Sequence, residues 1–240
     1  MKVFTMVELI ETGIPELDEI LGGGIPKGNS VLLSGSCGTG KTILGEQFLF
    51  EGAKKNNEIG IYISLSEPRD KIISNLEPFK FYDPKLIENE KIKILDITQD
   101  ARLINLEPLT VNGIISMVSS IIRDSGAERV VIDSLTAICN SLGTERNIRE
   151  FIFELGLQLG YLDCTTIFIS EIQPMRFKYS VYGVEEFIAD GVILLSEHED
   201  KGDLIRTLQV VKMRGVNHAR NRHVLEITEE GIKLKPMFEL

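Results

Sequence analysis

Residues 32 to 48 read LLSGSCGTGKTILGEQF. An apolar stretch gives way to small, turn-prone residues, and these give way to a helix-like pattern with a lysine at its start. Gly35 to Thr42 matches G-x-x-x-x-G-K-[ST] after a strand and before a helix, which is the setting a phosphate-binding loop requires. Gly35, Gly38 and Gly40 let the backbone curl, so that the N–H groups of the loop, through Ser36, Cys37 and Thr39, point inward at phosphate oxygens. The new helix adds its positive end. Lys41 is placed to reach the β- and γ-phosphates, and the Thr42 hydroxyl to ligate Mg2+. A glycine-rich turn carrying a surface lysine is the plainer reading of the same residues.

On either side of this loop, apolar β-rich runs alternate with helical patterns. SVLLSG is followed by a helix from about Lys41 to Ala53, then IGIYISLS and a helix opened by Pro68. KIKILDI, the helix NGIISMVSSIIRDS, the strand RVVIDS, the helix NIREFIFELGLQLGYL and the strand CTTIFISE continue the series. Such alternation predicts an α/β fold on a mainly parallel sheet flanked by helices. From Gly191 onward, GVILLSE, LIRTLQVVKMRG and RHVLEITEEGIKL read as short strands with turns between them, an antiparallel extension of the sheet. No repeat, low-complexity tract or linker interrupts the 240 residues, so a single domain over 1–240 is expected.

Composition narrows the class. Apolar content of 43% suits a full core, and every apolar run is broken well short of the ~18 residues a membrane helix needs. The opening MKVFTMVELIETG has an acidic residue where a signal peptide needs its apolar stretch, so a cytoplasmic protein is expected. Cys37, Cys139 and Cys164 are too scattered for a disulfide framework or paired zinc ligands. His198, His218 and His223 share no metal-ligand spacing either. A net charge of −10 opposes a surface devoted to nucleic acid but leaves room for a local basic patch.

A phosphate-binding loop needs a second acid for its metal, and RVVIDS offers Asp133 directly after an apolar run. Alone, such an aspartate reads equally as the cap of the next turn. Hydrolysis also needs a group to orient or deprotonate water, and YISLSEPRD brings Ser66 and Glu67 to the end of the second strand. Glu67 has two readings: that catalytic group, or a favourable charge in the first turn of a helix begun at Pro68.

The series TGIPELDEILGGGIPKG, GSCGTGKT, YISLSEP, RVVIDSLT, YGVEEFIADGVILL and VVKMRGVNH resembles the KaiC-like branch of the RecA/RadA ATPases. The likeness runs in unbroken order from about Ile10 to Leu234 and points to the single-domain, archaeal type. It implies ATP rather than GTP, Mg2+, and a homo-oligomeric ring, a hexamer by preference, with ATP at the subunit boundary. It also implies that Lys212 and Arg214 of K-x-R-G reach across that boundary to a neighbour's γ-phosphate, followed by Asn217 and His218. Without the resemblance KMRG reads as a solvated strand end.

Two departures matter. The family often carries two adjacent glutamates at the end of the second strand, and this chain has Ser66 then Glu67, so slow hydrolysis is expected. The loop PMRFKYSVYGVEE has no adjacent serine and threonine, so clock-type self-phosphorylation is not expected. The implied function is a slow, nucleotide-dependent regulatory ATPase whose protein partners the residues do not name. A recombination accessory protein is the alternative, because in recombinases the loop equivalent to the one after Ser170 and Glu171 touches DNA. Arg176, Phe177, Lys178 and Tyr179 would suit single-stranded DNA there, and an ordinary surface loop is the preferred reading.

Overall fold

The computed structural model describes residues 7–97, 111–173, 178–200 and 202–237. Arg176 and Phe177 lie outside them. The strands are β1 (Leu9–Ile10), β2 (Ile25–Pro26), β3 (Ser30–Gly35), β4 (Gly60–Ser64), β5 (Ile92–Asp96), β6 (Arg129–Asp133), β7 (Thr165–Glu171), β8 (Gly191–Asp200), β9 (Asp203–Met213), β10 (His223–Thr228) and β11 (Gly231–Pro236). The helices are α1 (Pro15–Ile20), α2 (Lys41–Asn56), α3 (Arg69–Leu76), α4 (Pro84–Glu88), α5 (Val111–Ser125), α6 (Leu135–Leu142), α7 (Glu145–Tyr161) and α8 (Glu185–Ile188).

Nine strands form one sheet in the order β11-β10-β9-β8-β3-β7-β6-β4-β5, and β1 and β2 pair separately. β5, β4, β6, β7, β3 and β8 run parallel, as the alternating pattern predicts. The antiparallel part begins one strand later than the sequence reading places it. β8 itself pairs in parallel with β3, and only β9, β10 and β11 reverse. A strand covered on both faces reads as a continuous apolar run. β3 follows this rule, sending Val31 and Leu33 to one core with Leu44 and Phe48 of α2, and Leu32 to a second core with Val118 of α5 and Phe151 of α7.

Helix α2 runs three residues past its predicted end. Lys54 and Lys55 favour its negative C-terminus, and Asn57 closes it in the left-handed region at φ 60°. Nearly every residue of its middle turns is buried, because α2 packs on β4 and β6, its Phe50 meets Phe81 and Tyr82, and it also meets the β10–β11 hairpin. Gln47 ties the two together: its amide nitrogen donates to the Gly13 carbonyl at 3.3 Å, and its amide oxygen accepts from the Ile232 N–H at 2.8 Å. This double bridge fixes α2, and with it the loop at its N-terminus. The short elements β1, β2, α1, α4, α6 and α8 were not anticipated from periodicity.

Candidate active site

The loop between β3 and α2 opens at the C-terminal edge of the parallel strands. Gly40, at φ 98°, forms the N-cap of α2, a backbone state that L side chains rarely adopt. A Cβ on Gly35 would stand 2.7 Å from Thr39 Oγ1 and 2.9 Å from the Leu195 carbonyl oxygen, so only glycine fits there. Thr39 Oγ1 and Lys41 Nζ both donate to the Ser36 carbonyl, at 2.8 and 2.7 Å, which locks the turn from inside. Burial lowers the pKa of Lys41, and the nearby Glu171 and Asp133 carboxylates oppose that shift. Cys37 and Gly38 face outward.

Asp133 sits at the end of β6, which β7 separates from β3. It still meets the loop. Thr42 Oγ1 donates to Asp133 Oδ2 at 2.8 Å, and the buried Tyr62 hydroxyl of β4 donates to the same oxygen at 2.5 Å. Burial, then repulsion from Asp133 and Glu46, keeps that phenol protonated. These donors fit a magnesium nucleotide, since hard oxygen ligands and a small number of carboxylates are what Mg2+ takes beside phosphates. Thr42 would ligate the ion and Asp133 would hold it through water, while the backbone from Gly35 to Thr42 would take the phosphates.

A cleft of about 510 Å³ opens beside this pair, lined among others by Thr42, Tyr62, Ser66, Glu67, Asp133 and Glu171. Glu67 is not part of the helix that follows. Pro68 is the N-cap of α3 and Asp70 supplies its acidic first turn. Ser64 Oγ accepts from the Glu67 N–H at 3.1 Å and donates to the Glu67 carbonyl at 2.7 Å, forming a tight turn that holds Glu67 at the cleft. Ser66 is exposed beside it. On the far wall the Glu171 N–H donates to Thr136 Oγ1 at 3.0 Å, and Ser170 is fully buried. The Ser34 hydroxyl donates to the Tyr179 carbonyl, so the loop after β7 is anchored to the strand that feeds the phosphate loop.

Lys212 and Arg214 lie elsewhere. Lys212 pairs with Val192, and Leu32 pairs with the same residue from the other side. Three residues of β3, about 10 Å of strand, therefore separate them from Gly35, and the loop extends further still. Both cations rest on the chain around α8. Lys212 Nζ donates to the Ala189 and Glu186 carbonyls at 2.6 and 3.1 Å. Arg214 pairs with Asp190 at 3.0 Å and remains more than half exposed. Burial and the Arg214 charge lower the pKa of Lys212.

Tyr62 escaped the sequence reading, and so did two further residues. Arg206 on β9 donates its Nε to the Gly38 carbonyl at 2.9 Å, bringing a cation to the subunit's own loop. Only the pairing of β9 with β8, which sets Arg206 opposite Glu197, puts it there. Glu46, one turn along α2 from Thr42, lines the cleft while buried to 3% exposure. Burial, then the charges of Asp133 and Glu67, pushes its carboxyl well above the ordinary range.

A nucleotide-binding loop at the carboxyl edge of this mixed sheet defines a P-loop ATPase of the RecA type. Residues 10–239 match the family model described as "ATPase: KaiC", and the chain belongs to that family. It is 36% identical to a UPF0273 protein of Thermotoga maritima, covering 96% of this chain and 97% of that one. It is 33% identical to the circadian clock oscillator protein KaiC of a Nostoc species, over 96% of this chain and 45% of that protein. The crystal structure of a KaiC-like protein from Pyrococcus horikoshii superposes with a TM-score of 0.84 at 34% identity, covering 96% of this chain and all of that one. Among the described residues no helix is long and apolar enough to cross a membrane.

Proposed function

We propose that the protein is a Mg-dependent ATPase of slow turnover, built as one domain over 1–240. In this reading each active site is completed by Lys212 and Arg214 of a neighbouring subunit, and nucleotide state regulates protein partners. The observation that carries the reading is the separation of these cations from their own phosphate loop by the length of β3. A cation that cannot reach its own site, yet stays partly exposed, is suited to serve another in a ring, for which a hexamer is the expected form.

Bound Mg2+ would supply charge neutralisation on the phosphates. The loop N–H groups and Lys41 would hold the β- and γ-phosphates, and Thr42 and Asp133 the ion. Glu67, fixed by Ser64, would orient water at the cleft wall. A guanidinium delivered by the partner would offset charge that grows on the transferred phosphoryl group, so turnover would depend on assembly. Ser66 offers no carboxylate for proton transfer, which is the ground for slow turnover.

The test is the steady-state rate of Mg-dependent ATP hydrolysis across protein concentrations that span assembly, with and without single-stranded DNA. A slow rate per subunit that rises with assembly and ignores DNA is expected. A rate per subunit that is constant from monomer to oligomer would contradict the shared site. Stimulation by DNA would move the account to recombination and to the loop bearing Lys178 and Tyr179, both exposed.

A further inference from the structure

Glu46 has no evident structural use. A side chain buried this deeply ordinarily finds hydrogen-bond partners for its polar atoms. Its Oε1 has none among the described residues. Gln47, the next residue, spends its amide on two backbone partners, so the helix has means to satisfy buried polar groups where they serve only packing. Leaving a buried carboxyl oxygen unpaired costs stability that an apolar residue there would avoid.

Its position gives a use. Thr42 and Glu46 are four residues apart on α2 and so lie on one helix face. Both line the cleft together with Asp133 and Tyr62. The Asp133 oxygen Oδ2 is already shared by the Thr42 and Tyr62 hydroxyls. A Mg2+ bound beside phosphates keeps several waters, and each water has protons that need acceptors.

We propose that Glu46 is an additional acceptor for the metal's water shell, holding the ion from the α2 side while Asp133 holds it from β6. The inference rests on the Mg-ATP reading above. Glu46 makes no contact with phosphate in this scheme and acts only through water, as a positioning residue. Groups of this kind typically change metal affinity by about 10- to 100-fold when altered.

The test is the affinity of Mn2+ for protein saturated with a non-hydrolysable ATP analogue, followed by loss of the free-ion electron paramagnetic resonance signal. Nucleotide affinity in EDTA is measured alongside. Glu46→Gln, nearly isosteric, should weaken Mn2+ by about 10-fold or more while moving metal-free nucleotide affinity less than about 2-fold. Glu46→Asp, which keeps the carboxylate but withdraws it, should fall between Gln and the parent. Unchanged Mn2+ affinity in Glu46→Gln, with a clear loss in Asp133→Asn, would overturn the role of Glu46 and leave the Mg-ATP reading standing. A parent protein whose nucleotide complex takes up no Mn2+ would overturn both. Equal losses of metal-free and metal-dependent affinity would mark Glu46 as a packing residue and overturn the proposal as well.

Discussion

The two ends of the sheet are built differently, and in the reading proposed above they carry the two halves of one chemistry. At the carboxyl ends of β3, β4 and β6 the functional groups converge within a single chain: Thr42, Tyr62 and Asp133 share one oxygen, and Lys41 folds into its own loop. At the opposite end Lys212 and Arg214 converge on nothing but carbonyls and Asp190 of the α8 segment. The first end is a site by its internal geometry. In the reading proposed above, the second acquires a function only when another molecule is brought to it, and the fold would then separate nucleotide binding from the step that spends the nucleotide.

The largest expected effect breaks that division at its second half. Arg214→Ala should lower turnover by about 10³-fold, the scale at which guanidinium groups act on phosphoryl transfer. Nucleotide affinity of dilute, unassembled protein should stay within about 2-fold of the parent, because Arg214 is remote from its own loop. A large loss of affinity in the dilute protein would mean that Arg214 serves its own site. A smaller loss is expected at the first end. Glu67→Gln should reduce an already slow rate by about 100-fold at unchanged nucleotide affinity, and rates equal to the parent would remove Glu67 from the mechanism. The smallest effect sharpens the comparison rather than breaking it. Arg206 is a cation that does reach its own loop, through an exposed hydrogen bond to the Gly38 carbonyl. Arg206→Ala should weaken nucleotide binding only a few-fold, whether the protein is dilute or assembled.

The contrast between the two ends also explains what the sequence could disclose. Gly35 to Thr42 and the strand ending in Asp133 are local patterns whose chemistry is set by spacing, so the phosphate loop, α2 and the parallel strands were legible. The antiparallel extension was legible as short strands with turns, but its first strand pairs in parallel, because a strand's direction depends on its neighbour and not on its own residues. Lys212 and Arg214 carry no local signal beyond two basic residues at a strand end. Only resemblance to a family picked them out. Arg206 is similar, since cross-strand pairing alone brings it to Gly38. Glu46 hid for another reason. In TILGEQF a glutamate reads as the solvent side of an amphipathic helix. That reading fails here because Glu46 shares a helix face with Thr42 and lines the cleft with Tyr62 of β4 and Asp133 of β6, and Leu44 through Phe50 are all buried. The short helix α8, which holds the two cations, is too brief for any periodicity to register.

The most direct test of a site divided between subunits is to mix two variants, each disabled at one end. Lys41→Ala removes the lysine proposed to hold the phosphates, and Arg214→Ala removes the guanidinium proposed to come from the neighbour; each alone should be nearly inactive. Mixed in equal amounts and allowed to exchange subunits, they should recover up to about a quarter of the parent rate, because an Arg214→Ala loop beside a Lys41→Ala neighbour again has both groups. A mixture that exchanges subunits yet stays as inactive as its components would contradict the divided site and place both groups within one chain.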